Sequence, residues 1–275
     1  MNHFPIIFCH LAVSAESPRT LSRCLDFVKS HTAVDLAGMI KGNRQRILVE
    51  LLGLYNLYKS RVMHALNLCA MADENFVKPK KPDSKGLPVA EVASYVGQSL
   101  MAVLSCFNVK LNNKEVPTED KVQILKSLND LMMFLGHDNL VERKHAVLEC
   151  IKMAGSLQDA GGEVQDACIQ LWDSLVHSLS LHSLADLLPQ VLVGLLPHLV
   201  TSPAKAAAIY CFLLVENGEK FSDQSAPFLM LEDGGVAPGM DKVVAVARGE
   251  AGLEFKDQLL RLLRYMQHES VEVGD

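Results

Sequence analysis

Residues 184–199 read LADLLPQVLVGLLPHL and decide the fold class of this chain. The apolar residues of this stretch recur at intervals of three and four, and they are Leu184, Leu187, Leu188, Val191, Leu192, Leu195, Leu196 and Leu199. That spacing places them on one face of an amphipathic α-helix. Residues 122–135 and 164–179 repeat the pattern, and no stretch alternates with a period of two. The sequence therefore predicts an all-α fold.

The spacing of the helix starts predicts a repeat. Ser17-Pro18 and Ser202-Pro203 each place a capping serine before a proline in the first turn of a helix. Helix pairs open near Thr118, Gly162 and Ser202, at intervals of 44 and 40 residues, and HEAT and armadillo arrays repeat at about 40–47 residues. We expect a HEAT-like α-solenoid of stacked antiparallel helix pairs, with two helices of about 15–18 residues per interval. A closed four-helix bundle is the alternative.

Composition excludes several classes of protein. The chain has 275 residues, of which 49% are hydrophobic and 21% charged, and its net charge is −6. These values exclude general disorder, and a chain of this length can bury about three-quarters of its unfolded surface. Seven cysteines without a C-x-x-C pair predict buried thiols in a cytosolic or nuclear protein, rather than disulfides or a zinc knuckle. Neither a signal peptide nor a membrane span is expected.

The sequence offers no pattern for catalysis. It contains no P-loop, no dinucleotide-binding glycine motif, no protein-kinase motif, no G-x-S-x-G and no H-E-x-x-H. His177 and His182 are five residues apart, which separates them by about 140° around a helix, so we expect surface or boundary histidines. Trp172, the single tryptophan, is expected to pack in the core. No catalytic, cofactor-binding or metal-binding residue is predicted.

Three stretches carry a resemblance to a known family. They read CIQLWDSLVHSL at 168–179, LLPQVLVGLLP at 187–197 and AAAIYCFLLVEN at 206–217. In this order they resemble the UME domain of the ATR checkpoint kinases, members of the phosphatidylinositol-3-kinase-related protein kinase family. Residues 120–136 resemble the start of that domain, residues 4–72 are a weaker collinear match to the preceding helices, and residues 268–273 resemble a turn of the following HEAT repeat.

The resemblance implies a domain organisation. The expected segments are an N-terminal HEAT-like segment 1–77, a Lys/Pro-rich linker 78–90, a connecting helix 91–117, a UME domain 118–220 and the start of further HEAT repeats 221–275. The lysines at 78, 80, 81 and 85 are expected in a solvated loop, with a nuclear-import or nucleic-acid patch as the alternative. Pro189 departs from the family pattern and predicts a kink. Because 221–275 ends within a helix pair, we expect a piece of a longer polypeptide.

The resemblance also implies a function. It is that of a non-catalytic scaffold segment in a nuclear serine/threonine protein kinase that signals DNA damage and replication stress. The parent kinase would use ATP and a divalent metal elsewhere, so no cofactor is expected in this segment. Expected partners are proteins, such as the ATR-interacting protein or other parts of the parent kinase, and neither membrane nor direct nucleic-acid binding is expected. The alternatives are an independent HEAT/armadillo-type adaptor without a kinase parent, and a small helical enzyme.

Overall fold

The computed structural model describes residues 3–77, 86–155, 157, 162–195, 197–217 and 220–221. Helices are the regular elements of these residues, and no β-strand occurs among them. The prediction of an all-α fold is confirmed. The chain divides into two compact units, Met1–Cys150 and Ile151–Asp275.

The first unit begins with eight helices. They are α1 (Phe4–Ser14), α2 (Pro18–Thr32), α3 (Leu36–Ile40), α4 (Arg44–Gly53), α5 (Lys59–Ala72), α6 (Val89–Gly97), α7 (Leu100–Asn112) and α8 (Thr118–Leu140). A 3-10 turn, Val141–Arg143, leads into α9 (Lys144–Gly155), which crosses the boundary between the units.

Helix α4 lies at the centre of the first unit, where it packs on α1, α5, α7 and α8. Half of its ten residues are buried, namely Ile47, Leu48, Val49, Leu51 and Leu52. Each such side chain contributes about 1.5–3 kcal/mol by leaving water. The core of this unit is therefore built around α4.

Helix α8 is bent near its end. Gly136 has φ 66° and ψ 178°, which breaks the helical backbone within Thr118–Leu140. Glycine adopts this left-handed conformation without the steric cost that a Cβ would add. The apolar stripe predicted at 122–135 is buried up to Leu135, directly before the break.

The second unit contains shorter helices than the sequence predicts. Its elements are α10 (Gly162–Ser178), α11 (Leu181–Leu184), a 3-10 turn (Ala185–Leu187), α12 (Leu188–Leu195), α13 (His198–Thr201), α14 (Pro203–Tyr210) and a π-helical segment (Cys211–Glu216). Helix α10 packs on α12, α13 and α14.

The expectation of two helices of 15–18 residues in each interval is therefore wrong. Proline has no N–H to donate, so it is tolerated in the first turn of a helix but not inside one. Accordingly, Pro189 lies in the first turn of α12, and the predicted kink takes the form of the preceding 3-10 turn. The predicted apolar face is nevertheless buried at Leu184, Leu187, Leu188, Val191, Leu192 and Leu195, as the spacing predicts. The side chains of Leu196 and Leu199 lie outside what the structure describes. The solenoid remains a prediction.

Parts of the predicted organisation lie outside the described residues. These parts are 78–85 of the Lys/Pro-rich linker and all of 221–275 except Phe221. The C-terminal end of the linker is anchored, because the Asn67 side chain donates to the carbonyl of Leu87 at 2.9 Å and accepts from its N–H at 3.3 Å. Two helices, α6 and α7, occupy most of 91–117, and the predicted domain bounds stay a prediction.

No single helix in the described ranges is long and apolar enough to cross a membrane. Helices α6 and α7 pass that test only as a pair, and they are bent by 65° relative to each other.

Candidate functional site

Trp172 occupies the core of the second unit. Only 1% of its surface is exposed. Its indole ring lies against α12 at Gly194, where a Cβ would sit 2.4 Å from the ring atoms Cζ2 and Cη2. No real Cβ approaches another atom so closely, so the ring occupies the space that a side chain at 194 would fill. The prediction that Trp172 packs in the core is confirmed.

Most other described apolar residues of the family-like stretches are also buried, whereas Val193 and Ala208 are exposed. Leu175 and Val176 follow Trp172 on α10, and their buried counterparts on later elements are Val191, Leu192, Leu195, Ala206, Ala207, Ile209 and Tyr210. The hydroxyl of Tyr210 donates to the carbonyl of Leu192 and ties α14 to α12. Burial raises the pKa of Tyr210 above its ordinary value, so the hydroxyl stays a donor at neutral pH.

Polar residues of the same stretches lie at the surface or at helix ends. Asp173 and His177 are both about half exposed, and their Oδ1 and Nδ1 atoms are 3.3 Å apart. Asn217 donates to the carbonyl of Phe212 at 2.8 Å and satisfies the end of the π-helical segment. The stretches that carry the resemblance thus form a packing motif.

A buried polar cluster in the first unit joins α4, α5 and α6. Arg44 Nη2 donates to the carbonyl of Tyr95 at 3.0 Å and to Gln98 Oε1 at 3.1 Å, and Nη1 lies 3.4 Å from Asp73 Oδ2. The guanidinium carbon is 4.3 Å from the centroid of the Tyr95 ring, which meets Phe76 edge-on at 5.1 Å. This geometry combines an ion pair with a cation–π contact.

The electrostatics of this cluster indicate a structural role. Asp73 is 4% exposed, and its Oδ1 accepts from the N–H of Asn75 at 2.9 Å. Burial raises the pKa of Tyr95, Asp73 adds to this rise, and Arg44 opposes it. A cavity of about 370 Å³ borders the cluster, and its walls carry Asp35 and Lys41, of opposite charge. This mixed lining selects no single class of ligand.

A second polar cluster ties the segment between α4 and α5 to α8. The buried Ser127 hydroxyl donates to the carbonyl of Gly53 at 3.1 Å and accepts from the N–H of Asn56 at 3.3 Å. One turn later, Asp130 accepts from Asn56 Nδ2 at 2.7 Å and pairs with Lys59 Nζ at 2.8 Å. These bonds satisfy backbone groups where no helix continues, so this cluster is also structural.

The cysteines are not arranged for nucleophilic chemistry. All seven lie in the described part of the chain, and none forms a disulfide. Burial raises the pKa of Cys9, Cys150 and Cys168 to about 12, so their thiols are protonated at neutral pH. Five of the seven are buried, whereas Cys106 is exposed because α7 turns this position towards solvent. The expectation of a buried thiol is wrong for Cys106.

The histidines mostly follow the sequence prediction. His177 and His182 are exposed, but His198 is 2% exposed at the start of α13, so a surface position is wrong for that residue. Within the described ranges, no three His, Cys, Asp or Glu side chains are grouped to hold a metal ion.

Nothing in the sequence pattern singles out the outer face of α2. Leu21 is the only buried residue of this helix, and Phe27 is 63% exposed. The Phe27 and His31 rings are in contact, with their centroids 4.0 Å apart and their planes tilted by 33°. Arginines four and eight residues before Phe27 were visible in the sequence, but their exposure was not.

Comparison with known proteins agrees with the packing motif. The family model of the UME (NUC010) domain matches residues 95–199, which include Trp172, Gly194 and Ser127. The class that the fold and these buried residues define is thus a helical region resembling the UME domain.

A particular relative is the serine/threonine-protein kinase ATR of Drosophila melanogaster, which is 20% identical to this chain over 283 residues. That match covers 97% of this chain and 11% of the kinase. The chain therefore spans about a tenth of its relative's length. The predicted resemblance to an ATR-related UME region is confirmed. No solved structure matches the chain.

Proposed function

We propose that this chain is a non-catalytic helical scaffold segment of an ATR-type kinase polypeptide that signals DNA damage and replication stress. The observation that carries the proposal is the burial of the UME-like stretches, with Trp172 fitted against Gly194. Residues used for packing hold helices in fixed positions, which is the task of a scaffold. The match along 97% of the chain to an ATR kinase supports the same function.

The remaining parts of the proposal follow from the similarity to that kinase. The polypeptide would act in the nucleus during the checkpoint response and DNA repair. Its protein partners would be the ATR-interacting protein or other parts of the parent kinase. ATP and a divalent metal would bind outside this segment.

The test begins with the endogenous polypeptide. An antibody raised against this chain should precipitate, from the nuclei of cells under replication stress, a polypeptide that transfers phosphate to a peptide substrate. The purified 275-residue chain should show no such transfer. Phosphotransfer by the purified chain itself would contradict the proposal, because a scaffold has no catalytic groups of its own.

A pair of variants tests whether the packing of this segment supports the kinase activity of the polypeptide. Trp172→Ala in the endogenous gene should lower the kinase activity recovered with the polypeptide, because it opens a cavity in the core. Val193→Ala, at a neighbouring position that is 56% exposed, should leave that activity unchanged. A precipitated polypeptide without any kinase activity would instead support the independent adaptor.

A further inference from the structure

The outer face of α2 has the properties of a binding surface. Arg19, Arg23, Phe27 and His31 are spaced by four residues and are all exposed. We call these four residues the α2 stripe. Each step of four residues turns by about 40° around a helix, so the stripe forms one slanted ridge about 18 Å long. Such ridges are the surfaces with which helices pack on other helices.

The α2 stripe is held in place before any partner binds. Ser17 caps the start of α2 by accepting from the N–H of Thr20 at 3.2 Å. His31 Nδ1 lies 2.8 Å from the carbonyl oxygen of Phe27, and the centroids of the two rings are 4.0 Å apart. A partner would therefore meet an aromatic pair whose rotamers are already restricted, which lowers the entropy lost on binding.

The charges of α2 are available to a partner. In the described part of the chain, Arg19, Arg23 and Lys29 have no carboxylate within ion-pair distance, although the chain as a whole carries a net charge of −6. The single carboxylate of α2 is Asp26. A local excess of positive charge on an acidic protein attracts an anionic partner to that place.

We propose that the α2 stripe docks an acidic amphipathic peptide segment of a partner protein. Carboxylates of that segment would pair with Arg19 and Arg23, and an apolar side chain would cover the Phe27 ring. Nucleic acid fits less well, because the stripe offers only two arginines for phosphate contacts and the chain as a whole carries a net charge of −6. The docking proposal specifies the kind of protein partner that the scaffold would bind. It rests on the proposed function only for the role of that binding in the cell.

The test is a titration of the full 275-residue chain, which needs no kinase. The probe is a fluorescein-labelled synthetic peptide of about 16 residues, with Glu at every fourth position and Leu on the adjoining face, which is long enough to cover the stripe as a helix. Fluorescence anisotropy at low salt should show saturable binding that weakens as salt is added. A peptide with Lys in place of every Glu should not bind.

Variants locate the binding. Arg23→Glu and Phe27→Ala should each weaken binding about tenfold or more, the range expected for residues central to an interface. Lys29→Glu is the matched control, since it makes the same charge change on α2 about 140° around the helix from the centre of the stripe. This control should change the affinity less than about threefold.

Three results would overturn the docking proposal. They are a lack of saturable binding, an equal loss of affinity in Lys29→Glu and Arg23→Glu, and displacement of the peptide by single-stranded oligothymidylate at equal or lower concentration. The first result would mean that the α2 stripe does not bind the peptide. The second would mean that the affinity depends on overall charge and not on the stripe, and the third would mean that the surface prefers nucleic acid. Because Arg23 and Phe27 are exposed, circular dichroism should show unchanged helicity in every variant.

Discussion

Helices α10 and α2 have similar lengths, 17 and 15 residues, but they differ in how much of their surface is buried. Eight residues of α10 are buried, whereas α2 buries one. Each helix carries one large aromatic side chain, and Trp172 is 1% exposed while Phe27 is 63% exposed. The role of an aromatic residue on a helix therefore depends on what packs against it. Trp172 lies against Gly194 in the core, whereas Phe27 is largely exposed beside His31 of its own helix.

Trp172→Ala tests the core side of this comparison and should have the largest effect. Loss of the buried ring should lower the free energy of unfolding by about 3–5 kcal/mol, since the cavity closes only partly. Denaturant unfolding followed by circular dichroism measures this loss. A loss below about 1 kcal/mol would mean that Trp172, like the exposed Phe27, contributes little to the core.

Asp73→Ala tests whether a buried polar position in the first unit contributes to stability as the buried residues of α10 do. Removing this carboxylate leaves Arg44 without its ion-pair partner in a largely buried site, which should cost about 3 kcal/mol. Glu74→Ala is the control, because it removes an exposed carboxylate from the next residue. Equal stability of the two variants would contradict the structural role of the Arg44 cluster.

Local signals in the sequence predicted the helix starts well. Ser17 caps α2, and α10 and α14 begin at Gly162 and Pro203 as expected. A cap involves atoms only three residues apart, so its signal is contained in a short stretch. The limit of such signals shows at Ser202, which precedes Pro203 but makes no side-chain cap bond.

Contacts across the sequence were not predictable in the same way. Arg44 and Asp73 are 29 residues apart and meet only because α4 and α5 pack together. The left-handed backbone of Gly136 leaves no trace in the apolar period that precedes it. Phe27 and Cys106 occupy helix positions whose exposure depends on whether another element covers them. Periodicity gives the face of a helix, but tertiary packing decides which faces are covered.

Gly194→Ala sharpens the contrast by changing the partner of Trp172 rather than the ring. A methyl group at 194 would collide with the indole, which should cost about 1–3 kcal/mol. In a Trp172→Ala background the same change should be neutral or stabilising by up to about 1 kcal/mol, because alanine favours the helix. Thermal unfolding of the wild-type chain, the two single variants and the double variant gives the coupling free energy between positions 172 and 194.

Gly162→Ala is the matched control for Gly194→Ala. Gly162 is the first residue of α10, and a Cβ there would meet nothing within 4 Å. We therefore expect no loss of stability from this variant. If Gly194→Ala were equally harmless in the wild-type chain, the ring would have room to move and the fit between Trp172 and Gly194 would not matter.

His198 adds a pH dependence to the core side of the comparison. Burial lowers its pKa from the ordinary value of 6.5, so the unfolded chain binds a proton more readily than the folded chain. The neutral His198 side chain therefore costs the folded chain no stability above pH 6.5. As the pH falls from there towards the folded pKa, the free energy of unfolding decreases, because the unfolded chain takes up the proton first. Urea midpoints between about pH 8 and pH 5 should fall with acidity, and His198→Gln should flatten part of this slope. An unchanged slope would show that the pKa of His198 does not differ between the folded and the unfolded chain.

Phe27→Ala should have the smallest effect on stability, and it decides whether α2 can be interpreted as a binding surface. The ring is 63% exposed, so its removal returns little area to water. Its contact with the His31 ring is an exposed pair four residues apart, worth about 0.2–0.5 kcal/mol. The free energy of unfolding should therefore change by no more than about 0.5 kcal/mol.

Denaturant unfolding measures this change, with Leu21→Ala as the matched variant. Leu21 is the buried residue of the same helix, and its truncation should cost about 2–5 kcal/mol. A loss in Phe27→Ala as large as that in Leu21→Ala would mean that the ring packs against the chain itself. Any loss of peptide binding in that variant would then reflect a displaced helix, and the α2 stripe would lose its standing as a docking surface.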